Sequence, residues 1–159
     1  VSATIRVDGV KETIAELRKL DPELRKTFNA NVKQITAPIV QAAQATYRAA
    51  NFPSGTANKW QQRGRQIFPL DASKAVRGVS TKISTSRRQA STIVVAQTNP
   101  GAAVFEFASN GRLGTAFTGK NGSSPRAMWP AADRNQTQVA SELAKLVDDV
   151  SDRMNRMLL

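Results

Sequence analysis

Glu106 is the residue whose setting most invites a chemical reading. It lies between two phenylalanines in the run Ala102-Ala103-Val104-Phe105-Glu106-Phe107-Ala108. A carboxylate so placed can be a solvated outward charge, half of an ion pair, or a general base. If the run is a strand with Phe105 and Phe107 turned to the core, Glu106 faces the other side of the sheet. There it meets water, or pairs with a basic residue of the glycine-rich segment that follows or of a neighbouring subunit. A catalytic role needs partners, and the sequence supplies few. The chain has no histidine and no cysteine, which removes the commonest general base, the commonest metal ligand, thiolate chemistry and any disulfide framework. Metal-assisted nucleases need clustered carboxylates, yet residues 24–132 hold only Asp71 and Glu106. The expectation is a protein that is not an enzyme and that uses no cofactor and no metal.

The second chemical theme is positive charge. The formal net charge is +11 over 159 residues. Residues 1–23 and 133–159 each carry four basic and five acidic side chains, whereas 24–132 carry fifteen basic against two acidic. The whole excess is central, and a field so laid out favours a polyanion such as DNA or RNA, or an acidic protein surface. Arg63, Arg65, Arg87, Arg88, Arg112 and Lys120 all fall in predicted loops or at a hairpin tip, and are the candidate DNA-facing residues. Dispersed arginines and lysines meet phosphates as a smooth field rather than as a base-reading site. The glycines after residue 108 do not form a phosphate-binding loop, because no Gly-x-x-x-x-Gly-Lys-Ser/Thr pattern is present.

These residues must be held by elements that periodicity reveals. Val1, Ala3, Ile5 and Val7 alternate as a strand, and Val10, Ile14, Leu17 and Leu20 recur as a helix over 10–20. Asp21-Pro22 ends one helix and starts another, with Leu24, Phe28, Val32, Ile35 and Ile39 striped along 22–50 and Pro38 inside it. Residues 51–78 read as a long irregular loop pinned by Trp60 and Phe68. Val79 to Thr85 and Ser91 to Gln97 alternate as a hairpin with a basic tip at Arg87 and Arg88. The Asn99-Pro100-Gly101 triplet reads as a turn into a third strand over 102–108. A flexible glycine-rich loop over 109–124 follows, then Met128 and Trp129 as a core anchor, then a helix striped by Leu143, Val150 and Met154. The prediction is one α+β domain spanning 1–159. A three- to four-stranded antiparallel sheet is packed by the long helix of the N-terminal half and by the C-terminal helix, with long loops at about 51–78 and 109–124. No apolar run approaches membrane-spanning length and no signal-peptide pattern opens the chain, so synthesis in the cytoplasm and no membrane partner are expected.

The order of motifs resembles the neck or tail-completion proteins of long-tailed double-stranded DNA phages, relatives of the lambda tail protein Z. The resemblance is carried by Val7-Asp8-Gly9-Val10 through Leu17, by the alanine-rich helix end Ile39 to Ala50, by Val104-Phe105-Glu106-Phe107, and by Pro125-Arg126-Ala127-Met128-Trp129-Pro130-Ala131. Ala108 and Ala103 stand where that family has glycine and an aromatic. The resemblance implies a structural head–tail connector subunit of the virion, made in the host cytoplasm. It would form a homo-oligomeric ring between connector and tail-tube proteins through which DNA passes with nonspecific contact. A tail-terminator ring subunit and a freestanding nonspecific DNA-binding protein are the alternatives. On the ring reading, Glu106 is an inter-subunit candidate.

Overall fold

A computed structural model describes residues 2–5, 10–20, 22–51, 61–62, 65–66, 71–83 and 93–157. Three helices follow the stripes read from sequence. α1 spans Val10–Leu20, α2 spans Pro22–Ala49, and the last helix, α6, spans Met128–Met157. α2 buries Phe28, Val32, Thr36, Ile39, Ala43 and Tyr47, a face recurring every three or four residues, and runs on through Pro38. α6 buries Ala131, Val139, Leu143, Val147, Val150 and Met154. These two long helices pack against each other, and α2 also packs against the sheet.

The main sheet is antiparallel, in the order β1-β5-β4, with β1 Ser2–Ile5, β4 Val79–Ile83 and β5 Ile93–Gln97. The central strand β5 turns Ile93, Val95 and Gln97 inward. Pairing of Ile83 with Ile93 and of Val79 with Gln97 sets the hairpin register. The Thr36 hydroxyl bonds the Thr81 hydroxyl at 2.7 Å and so ties α2 to β4. The α+β class therefore holds, with the third strand of the main sheet supplied by the N-terminus.

The structure departs from expectation downstream of β5. The segment predicted as a strand over 102–108 is a helix, α4, Pro100–Phe107. The reason is local. Asn99 caps it, its side-chain oxygen accepting from Ala102 N at 2.9 Å, and Pro100 occupies the first turn, where a missing N–H costs nothing. The glycine-rich segment 109–124 is no loop either, since Gly111–Asn121 form helix α5. Its glycines serve packing and termination. A Cβ on Gly114 would lie 2.4 Å from the Ser109 backbone, and Gly122 ends the helix at φ +81°. The stretch 51–78 contains a short two-stranded pair, β2 Gln61–Gln62 with β3 Arg65–Gln66, and a helix α3, Ala72–Gly78, capped by Asp71. The two residues read as its anchors, Trp60 and Phe68, lie outside the described residues. Of the pair expected to anchor the last helix, Met128 is buried but Trp129 is 40% exposed.

Candidate functional site

The most chemically organised part of the molecule is where α4, α5 and the start of α6 meet. Its centre is an aromatic cluster. Phe105 of α4 packs against Tyr47 of α2, with ring centroids 5.9 Å apart, and edge-on against Phe117 of α5 at 5.3 Å. All three rings are fully buried. Arg126 enters this cluster from the segment before α6. Its guanidinium lies 5.6 Å from the centroids of both Phe105 and Phe117, a double cation–π contact.

Each of the three Arg126 nitrogens meets an acceptor. Nε donates to Gly122 O at 2.9 Å and one terminal nitrogen donates to Phe105 O. The other donates to Ala108 O at 2.8 Å and to the Thr118 hydroxyl at 3.1 Å. The side chain thus bonds the C-terminal carbonyls of α4 and the carbonyl that ends α5, groups that a helix leaves without internal partners. Burial pulls the Arg126 pKa down, and the charge of Glu106 pushes it back up.

Glu106 is the counterpart at the other helix pole. It is fully buried, so neither the solvated carboxylate nor the inter-subunit ion pair expected from sequence describes it. One carboxylate oxygen accepts from Ala127 N at 2.8 Å and Met128 N at 3.2 Å, and the other from Trp129 N at 3.2 Å. The three donors are the amides of Ala127, just before α6, and of its first two residues, and a negative charge there is also favoured by the helix dipole. The strand reading failed here because α4 is a helix. Phe105 and Glu106 are then adjacent and both buried, while Phe107 points out and is 50% exposed.

Two further ties lock the joint. Asn121, at the end of α5, mimics a strand partner for Asn51. It accepts from Asn51 N at 2.7 Å and donates to Asn51 O at 2.9 Å, fastening α5 to the end of α2. Gln97 donates to Ala75 O at 2.8 Å and accepts from Asn99 N at 2.8 Å, joining β5, α3 and the cap of α4. The Tyr47 hydroxyl is buried among these groups, and no hydrogen bond of good geometry reaches it among the described residues. Burial first, and the Glu106 charge second, raise its pKa well above the usual tyrosine value, against a smaller opposing pull from Gln97.

This arrangement clamps helix ends. Glu106 is closed off from solvent with both oxygens engaged, and Arg126 is 6% exposed. Among the described residues no three acidic side chains converge as a metal site, and no helix is long and apolar enough to cross a membrane. Of the basic residues singled out from sequence, Arg112 and Lys120 stand exposed on α5. Arg63, Arg87 and Arg88 lie outside the described residues, and Arg65 belongs to β3. Arg126, Gln97 and Asn121 were missed. The only sequence signal for Arg126 was its place two residues before the last helix, and nothing local marked the other two. Comparison with family models, with curated proteins and with solved structures finds no match for the chain.

Proposed function

We propose that this chain is a non-enzymatic, ring-forming subunit of the neck of a long-tailed DNA phage, joining the connector to the tail tube and lining the path of the DNA. The observation that carries the proposal is the order of motifs along nearly the whole chain, from Val7-Asp8-Gly9 to Pro125–Ala131, combined with a positive excess confined to 24–132. The structure supports it in two ways. The charges that balance inside the fold, Glu106 and Arg126, serve helix ends. Lys33, Arg48, Lys74, Arg77, Lys82, Arg112 and Lys120 remain exposed for a polyanion. Phe107 and Trp129, the exposed large apolar side chains among the described residues, flank the clamped joint, one next to Glu106 in sequence and one donating its backbone N–H to it. A rigid mount with two outward aromatic rings suits contact with a neighbouring subunit.

The reading is tested first by gene neighbourhood. A portal gene upstream and a major tail-protein gene downstream are expected, and surroundings free of head and tail genes overturn it. In the particle, substituting Phe107 and Trp129 together by serine leaves the circular dichroism of the purified subunit unchanged and lowers the yield of tailed, infectious phage. Normal titres with that variant remove the aromatic pair from the subunit contact.

A further inference from the structure

The candidate DNA-facing residues read from sequence include neither Arg48 nor Arg77, two arginines that the structure sets on one groove. An open groove of about 730 Å³ runs between the C-terminal end of α2 and helix α3, lined by Arg48, Ala72, Ser73, Val76 and Arg77. Both arginines are exposed. We infer that this groove seats the sugar–phosphate backbone of a nucleic acid strand, with Arg48 and Arg77 on phosphate oxygens. The inference rests on the proposed DNA-lining role and gives it a location.

Four observations support it. First, the walls are fixed rather than adventitious. Gln44, one helical turn before Arg48 and on the same face of α2, donates to Val76 O at 3.2 Å, and Gln97 holds Ala75 O from the other side. The spacing between the two arginine-bearing helices is therefore set by the fold. Second, the lining matches the ligand. Guanidinium groups suit phosphate oxygens in a planar, two-bond geometry, the Ser73 hydroxyl can donate to a third oxygen, and Ala72 with Val76 offers an apolar floor for a sugar. Third, no acidic side chain lines the groove among the described residues. The nearest acid in sequence, Asp71, is occupied in capping α3, where its Oδ1 accepts from Ser73 N at 2.7 Å and from Lys74 N at 3.2 Å. Exposed Lys74 adds to the positive field. Fourth, the groove is open and far larger than one phosphate group, which suits a chain passing along it rather than an enclosed small anion.

The test uses the full chain and a fluorescein-labelled duplex of random sequence, with fluorescence anisotropy read from about 50 mM to 200 mM salt. Arg48→Ala with Arg77→Ala is compared with Lys26→Ala with Lys33→Ala. The control pair lies on the same helix α2, is also exposed, removes the same charge, and ends about 22 Å from Arg48 along the helix axis. The arginine pair is expected to weaken binding on the order of tenfold per residue. It should also flatten the slope of log affinity against log salt by about two. The lysine pair is expected to cost several-fold less. Both variants keep the parental melting temperature. Equal losses from the two pairs overturn the groove while leaving the ring reading in place. An unsubstituted chain that fails to bind duplex at the lowest salt overturns both the groove and the DNA-lining role. Displacement of the duplex by micromolar pyrophosphate overturns the strand assignment in favour of a small-anion site.

Discussion

Replacing Glu106 by alanine removes the acceptor for three amides at the start of a 30-residue helix. The amides of Ala127 and Met128 are buried where they meet Glu106, so water does not replace the lost partner. Leaving a buried donor unmade costs about 1–3 kcal/mol, and losing a helix cap typically about 1 kcal/mol. Arg126 adds to this, because a buried guanidinium loses the nearby negative charge that offsets its own burial. The terms overlap, since the same carboxylate provides all of them, and the expected total is about 4 kcal/mol. For a domain with about 5–15 kcal/mol of stability, that is a quarter or more of the whole. Urea titration followed by far-ultraviolet circular dichroism measures it as a drop in midpoint at unchanged slope. Glu106→Gln keeps one acceptor oxygen and sets an amide NH2 against backbone donors, so its loss falls at about 2–3 kcal/mol. In a cycle with Arg126→Met, the double variant is expected to lose at least about 1 kcal/mol less than the sum of the single losses. A loss below about 1 kcal/mol for Glu106→Ala would refute the clamp as a source of stability.

Three further expectations follow from the same geometry. Tyr47 is the single tyrosine of the chain, so absorbance near 295 nm reports it alone. Its folded pKa is raised, so its contribution to stability is complete below the unfolded value of about 10 and is lost as pH climbs toward the folded value. The native protein should show no tyrosinate until alkaline unfolding begins, and a free titration near pH 10 in folded protein would contradict its burial. Within α5, Gly114→Ala drives a Cβ into the Ser109 backbone and should cost about 1–3 kcal/mol, whereas Gly119→Ala meets open space and should gain up to about 1 kcal/mol. Thermal melts of the two variants should move in opposite directions, and shifts of the same sign would show that α5 does not pack on Ser109. Asn121→Ala removes both bonds to Asn51 and should speed amide hydrogen exchange at the ends of α2 and α5 while leaving α6 protected; unchanged exchange at those ends would mean that the tie does not hold them.

Periodicity by itself determined the elements whose apolar residues report one buried face. Val10–Leu20, Pro22–Ala49 and Met128–Met157 each carry a stripe that only a helix can collect on one side. The alternation flanking 84–92 requires a hairpin of the kind seen in β4 and β5. Capping chemistry was also written locally, but its meaning was ambiguous. Asn99-Pro100 is both a turn signal and a helix start, and the apolar run after it has no period that separates a buried strand from a short buried helix. Likewise, glycines in 109–124 signalled a loop, whereas two of them serve close packing at Gly114 and termination at Gly122. Such roles depend on what lies opposite, here the Ser109 backbone, and composition does not encode that. The place of Glu106 belongs wholly to the tertiary structure. Its partners are 21 to 23 residues away, and they present three convergent N–H groups only once α6 has formed and its first turn has docked on α4. The same holds for Arg126, whose acceptors are the leftover carbonyls at two helix ends that exist only when α4 and α5 do. A charged side chain can be buried between helices because folded helix ends expose unpaired backbone dipoles of a definite sign, and those dipoles come together in space only after the chain has folded.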